Sequence, residues 1–166
     1  MKPAKGPKGF TLIEMLVAIV IVGLLAALAV PSISPMVETI KLRTAANAIK
    51  RQMIVARTRA MSDPNLHCGV FFDTRGGDTA RTFIWFDKDG DYTVDATDTV
   101  DKYAGIYKMP KNIALSVSAT NPVVNKIVVF RGDGSAKNGG AVVVTNKYGR
   151  TRTVSVLPST GRVKLQ

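Results

Sequence analysis

The chain has one cysteine, Cys68, and one histidine, His67, among its 166 residues. A lone cysteine excludes an intramolecular disulfide, so no cystine framework holds the fold. One His and one Cys also fall short of a conventional zinc ligand set. The two are chain neighbours, and neighbours on a strand point to opposite faces, which argues against a catalytic Cys–His pair. A Gly-x-Ser-x-Gly elbow and a second histidine are both absent. A membrane-anchored hydrolase built on His67 or the Asp cluster therefore lacks its parts. There is no Walker-type phosphate loop either. Cys68 sits in the run Cys68-Gly-Val-Phe-Phe72 and reads as a small buried hydrophobe.

Acids are scarce: 12 against 23 Lys and Arg, a net charge of +11. They are also segregated. Nine of the twelve lie between Asp63 and Asp101. From Lys126 to Lys164 there are eight bases and one acid, Asp133. Such a basic end fits an acidic partner, nucleic acid or anionic lipid; the plainer reading is a solvated surface. The length suits one N-terminal helix and one small globular domain.

Helix breakers crowd the first nine residues, MKPAKGPKG, and then nearly vanish until Pro31. Residues 12–30, LIEMLVAIVIVGLLAALAV, carry one charge, Glu14, and one glycine, Gly23. As a helix this run is about 28 Å long, close to the thickness of bilayer hydrocarbon. A secretory signal peptide also begins with bases and an apolar core. This run is long for such a core, has an acid near its beginning, and lacks a small-x-small cleavage site after it. An ordinary membrane anchor explains the length but not Glu14, because a carboxylate in hydrocarbon is costly. An acid there calls for a positive partner in the apolar phase, unless it is an interfacial acid with no role.

The segment Gly9-Phe-Thr-Leu-Ile-Glu14 resembles the processing site of type IV pilins and type II secretion pseudopilins. In that family a short basic leader ends in Gly, followed by Phe-Thr-Leu-Ile-Glu and an apolar helix. The resemblance implies that prepilin peptidase cuts between Gly9 and Phe10 and methylates the Phe10 amine. It also implies that Glu14 serves assembly. Cleavage would create a cation one helical turn from Glu14, on the same chain or facing a neighbouring subunit. Opposite charges in low dielectric attract strongly, and an unpaired one is penalised, so one axial register is favoured. The basic leader matches a cytoplasmic flank. The expected organisation is a leader at 1–9, a transmembrane and filament-core helix at 10–31, and a periplasmic head at 32–166. The expected location is the inner membrane, single-pass, and then a pilus or pseudopilus.

Beyond Pro31, Ile33, Met36, Val37, Ile40, Ala45, Ile49, Met53, Ala56 and Ala60 recur at three- and four-residue steps. Bases fill much of the rest. This predicts an amphipathic helix to about Ser62, ended by Asp63-Pro64. Pro31 and Pro35 predict a kink or local loosening. Short β-branched runs follow at 70–73, 81–86, 126–131, 141–145, 152–157 and 162–165, separated by Gly, Asn and Asp. They predict antiparallel hairpins. The fold class is α+β, a long N-terminal helix packed on antiparallel β-sheets.

The second half resembles the GspH/FimT family of minor pseudopilins and minor pilins. Phe83-Ile-Trp-Phe-Asp87 precedes an Asp/Gly loop, a strand pair follows Gly132-Asp-Gly134, and the chain closes on Ser159-Thr-Gly-Arg-Val-Lys164. The resemblance implies a structural subunit without an active site or obligatory cofactor, partnered by other pilins, which helps to initiate or cap a filament. A DNA-binding variant of the family acts in DNA uptake through Gly-Arg-x-Arg. Gly149-Arg-Thr-Arg152 has that spelling, and Gly161-Arg-Val-Lys164 nearly has it. Arg150, Arg152, Arg162 and Lys164 are the candidate phosphate contacts. Separately, Asp87, Asp89, Asp91, Asp95 and Asp98 follow the acid spacing of an EF-hand calcium loop. Tyr92 replaces the loop glycine, and Asp98 replaces the bidentate Glu. The competing reading is an acidic hairpin turn.

Overall fold

The computed structural model describes residues 9–63, 67–75, 80–91, 94, 99–100 and 105–166; the side chains of 28–32 and 99 lie outside that set. The chain divides into two compact units, Met1–Val37 and Glu38–Gln166. The sequence predicts a boundary at 31, a few residues earlier.

The first unit holds the start of helix α1, which runs Leu12–Ser62. The described side chains from Leu12 to Ala27 are all exposed. A helix apolar on every side has no polar face to offer water, so it needs lipid or other helices around it. Among the described residues, no helix is long and apolar enough to cross a membrane. The apolar run 12–30 ends in residues whose side chains lie outside the described set. α1 continues through Pro31 and Pro35, although each removes one N–H donor from the helix.

In the second unit α1 buries Leu42, Ala45, Ala46, Ile49, Met53, Ala56 and Ala60 at helical spacing. Four of these seven are alanines, which let the helix backbone approach the sheets closely. The sequence places the start of this stripe at Ile33. The structure corrects that: Ile33, Met36, Val37 and Ile40 are exposed. Periodicity continues across the boundary and does not mark where the head begins.

Two antiparallel sheets complete the unit. The first has the order β3-β2-β1-β6, with β4 also on β2. Its strands are β1 His67–Asp73, β2 Arg81–Asp87, β3 Thr99–Val100, β4 Ile106–Lys108 and β6 Ile127–Phe130. The second has the order β5-β7-β8-β9, from β5 Ile113–Val117, β7 Gly140–Asn146, β8 Thr151–Val156 and β9 Val163–Leu165. The six predicted strand runs correspond to β1, β2, β6, β7, β8 and β9. β3, β4 and β5 have no counterpart among the predicted runs: β3 and β4 are two and three residues long, and β5, Ile-Ala-Leu-Ser-Val, has only one β-branched residue at each end. Gly76 and Gly77, where the sequence predicts the turn between the first two runs, lie outside the described residues.

One core joins the helix to both sheets, through Val70, Phe72, Ile84, Phe130, Val142, Val144, Val154 and Val156. Gln52 ties the helix to β2: its Nε2 donates to the Thr82 carbonyl at 3.3 Å, and its Oε1 accepts from the Thr82 hydroxyl. The far face of the first sheet is apolar too, with Trp85, Ile127 and Val129 buried and Phe71 and Phe83 against them. Trp85 lies across Gly69, where a Cβ would fall 2.6 Å from Nε1. Glycine there makes room for the indole.

Candidate functional site

Gly9 and Phe10 precede α1 as exposed, non-helical backbone. Phe10 is 83% exposed. Among the described residues, nothing lies within 4 Å of a Cβ built on Gly9. Exposed backbone outside regular structure, as here, is where proteolytic cleavage concentrates.

Thr11 and Glu14 close the helix start reciprocally. The Thr11 hydroxyl accepts the Glu14 N–H at 3.3 Å. Glu14 Oε2 accepts the Thr11 N–H at 3.0 Å and the Thr11 hydroxyl at 3.1 Å. This is a capping box, which satisfies helix N–H groups that have no partner in the preceding turn. Sequence reasoning singled out Glu14 and missed Thr11. The signal was present, since Thr-x-x-Glu before an apolar run is the capping-box pattern.

The four basic candidates do not share one surface. Arg152 pairs with Val144 across β7–β8 and lies on the face of buried Val154 and Val156. Lys164 pairs with Ser155, on the opposite face. Arg162 is exposed in the turn before β9. Arg150 donates from Nη1 to the Thr39 hydroxyl at 3.1 Å. The structure thus separates Arg152 from Lys164 and anchors Arg150 to α1.

Gly161 has its own structural duty. Its φ is +59°, and a Cβ there would overlap the Gly134 carbonyl oxygen and lie 3.0 Å from Arg57 Nε. Arg57 Nε donates to that same carbonyl at 2.9 Å. The two glycine turns therefore close on one helix side chain.

Asp87, Asp89 and Asp91 place carboxylate oxygens within 4.8 Å of one another, with Asp87 buried and the other two exposed. Asp87 Oδ1 accepts the Gly90 N–H at 2.8 Å, and Asp89 Oδ1 accepts the Asp91 N–H at 3.3 Å. Gly90, at φ +76°, makes the turn. Asp95 and Asp98 lie outside the described residues. Calcium takes six to eight oxygens, from carboxylates, backbone carbonyls and water, and these three side chains would supply part of such a set. His67 and Cys68 are successive residues of β1 and face opposite sides, Cys68 buried.

Among the described residues outside the helix, Asp73 is the most perturbed acid. It is buried, and Arg75 holds it through Nε at 2.9 Å and Nη2 at 2.5 Å, with Arg81 Nε at 3.2 Å. The Arg75 hydrogen bonds hold its carboxyl far below the usual carboxylate range, against the opposing effect of burial. A depressed native pKa contributes stability above the unfolded value, near 4, and that stability is lost as pH falls through the native value. Asp73→Asn is expected to cost about 2 kcal/mol at pH 7, discounted because both arginines are partly exposed. Urea melts at pH 7 and pH 3 check this: the difference between parent and variant should shrink at pH 3.

The description "Prokaryotic N-terminal methylation motif" matches residues 5–30. A curated relative from Thermus thermophilus, the type IV narrow pilus major component PilA5, is 31% identical over 99 residues, covering 58% of this chain and 84% of the relative. Among solved structures, the minor pseudopilin EpsH of the Vibrio cholerae type 2 secretion system aligns with TM-score 0.56 at 14% identity, over 76% of this chain and 96% of that one. The type IV minor pilin FimU of Pseudomonas aeruginosa aligns with TM-score 0.54 at 15% identity, over 80% and 92%. These two share the fold.

Proposed function

The chain belongs to the type IV pilin family, and on that premise we propose that it is a prepilin, cut after Gly9, methylated on Phe10, and rooted in the inner membrane before filament assembly. The observation that carries this reading is the junction itself. An exposed Gly9–Phe10 bond stands directly before a helix that is apolar all round and holds one acid in its first turn. No catalytic constellation is needed, because the work is assembly. Its partners are prepilin peptidase during maturation and other pilins afterwards. The helix supplies the contact that lipid first covers and sister helices then replace. Glu14 supplies the register, through the amine that cleavage releases on Phe10.

The position in the filament has two versions. The Asp/Gly loop after Phe83–Asp87, Gly132-Asp-Gly134 and the Gly161-Arg-Val-Lys164 close favour a low-abundance subunit that initiates or caps. The likeness to PilA5, a major component, favours many copies. Filaments sheared from cells and quantified by peptide mass spectrometry decide between them. Presence at any stoichiometry supports the filament reading, and the copy ratio chooses the version. Absence from filaments while the processed chain accumulates in the membrane contradicts both.

A further inference from the structure

The part of α1 inside the head carries a net positive charge, and several of its bases make no ion pair among the described residues. Residues 38–62 hold six bases and one acid, a net of +5. Glu38 is engaged by Lys41 at 2.9 Å. Arg57 is committed to Gly134, and Arg59 lies 5.8 Å over the Phe86 ring. Arg43, Lys50 and Arg51 make no ion pair among the described residues. They stand at i, i+7 and i+8, on one side of the helix with Asn47. Arg43, Asn47 and Arg51 are exposed, and so are Ile40 and Ile54 beside them.

The opposite charge sits elsewhere on the same head. Residues 87–101 hold six acids and one base, a net of −5. Asp89 and Asp91 are exposed, with Asp87 alongside. The exposed carboxylates of Asp89 and Asp91 attract a cation brought close to them. Within one molecule the two surfaces are offset along the helix. Arg59 reaches Phe86, next to Asp87. Arg51 and Arg43 lie eight and sixteen residues earlier, roughly 12 and 24 Å along the axis. A second copy shifted by such a distance brings its acids opposite these bases.

We propose that the Arg43–Lys50–Arg51 face of α1 is the docking surface for the Asp87–Asp91 loop of a second copy of this chain. The contact joins two different surfaces, so it propagates as a filament does rather than closing into a dimer. It rests on the filament-subunit reading, in its many-copy version.

The test uses the full chain in its native membrane, as two differently tagged copies. One carries Asn47→Cys and the other Lys88→Cys, which leaves Arg43, Lys50, Arg51 and the loop carboxylates in place and removes only the loop's own base. Cys68 is buried and serves as the silent control. Mild oxidation is expected to link the two tags. Arg51→Glu should lower the yield roughly fivefold, as the loss of one good exposed ion pair would, and Asp89→Arg on the other copy should restore it. The yield should also fall at about 1 M salt, where screening shortens to roughly 3 Å. Tagged copies that enter filaments without linking would overturn the contact and leave the filament reading standing. Linked copies that never enter filaments would support the contact and remove the filament reading. Linkage of the helix cysteine only to a different protein, or insensitivity to Arg51→Glu, would overturn the proposal. So would binding of the parent head to anionic vesicles that abolishes linkage.

Discussion

Glu14→Gln is expected to cut incorporation into filaments by about tenfold or more, while membrane insertion and cleavage continue. The capping box is what makes this substitution informative. Glutamine at the third helical position supports the same reciprocal cap as glutamate, so the helix start keeps its bonds to Thr11. What is lost is the negative charge. On the proposed reading that charge answers the amine released on Phe10, in surroundings where an unanswered cation is strongly penalised. Thr11→Ala is the converse: it removes the cap hydroxyl, costs about 1 kcal/mol of helix stability, and keeps the acid. The expected order of incorporation is parent, then Thr11→Ala slightly below, then Glu14→Gln far below. If Glu14→Gln behaved as the parent and Thr11→Ala did not, Glu14 would be a helix cap and nothing more.

Gly161→Ala is expected to destabilise the head by about 3 kcal/mol and lower its melting temperature by roughly 10 °C. Two penalties combine. At φ +59° an L residue is strained by about 1 kcal/mol. The new methyl would also overlap the Gly134 carbonyl, so the bond from Arg57 to that oxygen must lengthen or break. Gly149→Ala separates the two, since Gly149 has φ +75° but nothing within 4 Å of its Cβ. It should cost only the strain. Thermal melts of the full chain in detergent, followed by the fluorescence of buried Trp85, give both numbers. Equal losses for the two variants would show that the Gly134 contact contributes nothing. The result also bears on the family-like ending: Gly161 is explained by packing, independently of any ligand for Arg162 or Lys164.

Much of this was legible before the fold was known. Gly9 to Glu14 carried the strongest message, because a basic, breaker-rich start, a nineteen-residue apolar run and one acid coincide in few other settings. The strands that alternate or run apolar, such as β1 and β7, could be read from their β-branched residues. What could not be read depends on contacts across the chain. Ile40 and Leu42 look equally apolar, yet only Leu42 meets the sheets. β4 and β5 have short, partly exposed strands whose partners are distant, so local pattern is weak there. Arg150 and Arg152 alternate in the sequence, as two residues that share a strand face do. Register places Arg152 on the core face instead, opposite Val144. Gly69 carries no local signal, and Gly161 signals only a turn; what requires glycine at each is a side chain or carbonyl far away in sequence.

The most direct measurement is the intact mass of this chain taken from isolated filaments. The account predicts a polypeptide that begins at Phe10 and is one methyl group heavier than its sequence. A protein that still carries Met1, or one trimmed beyond residue 30, would contradict it.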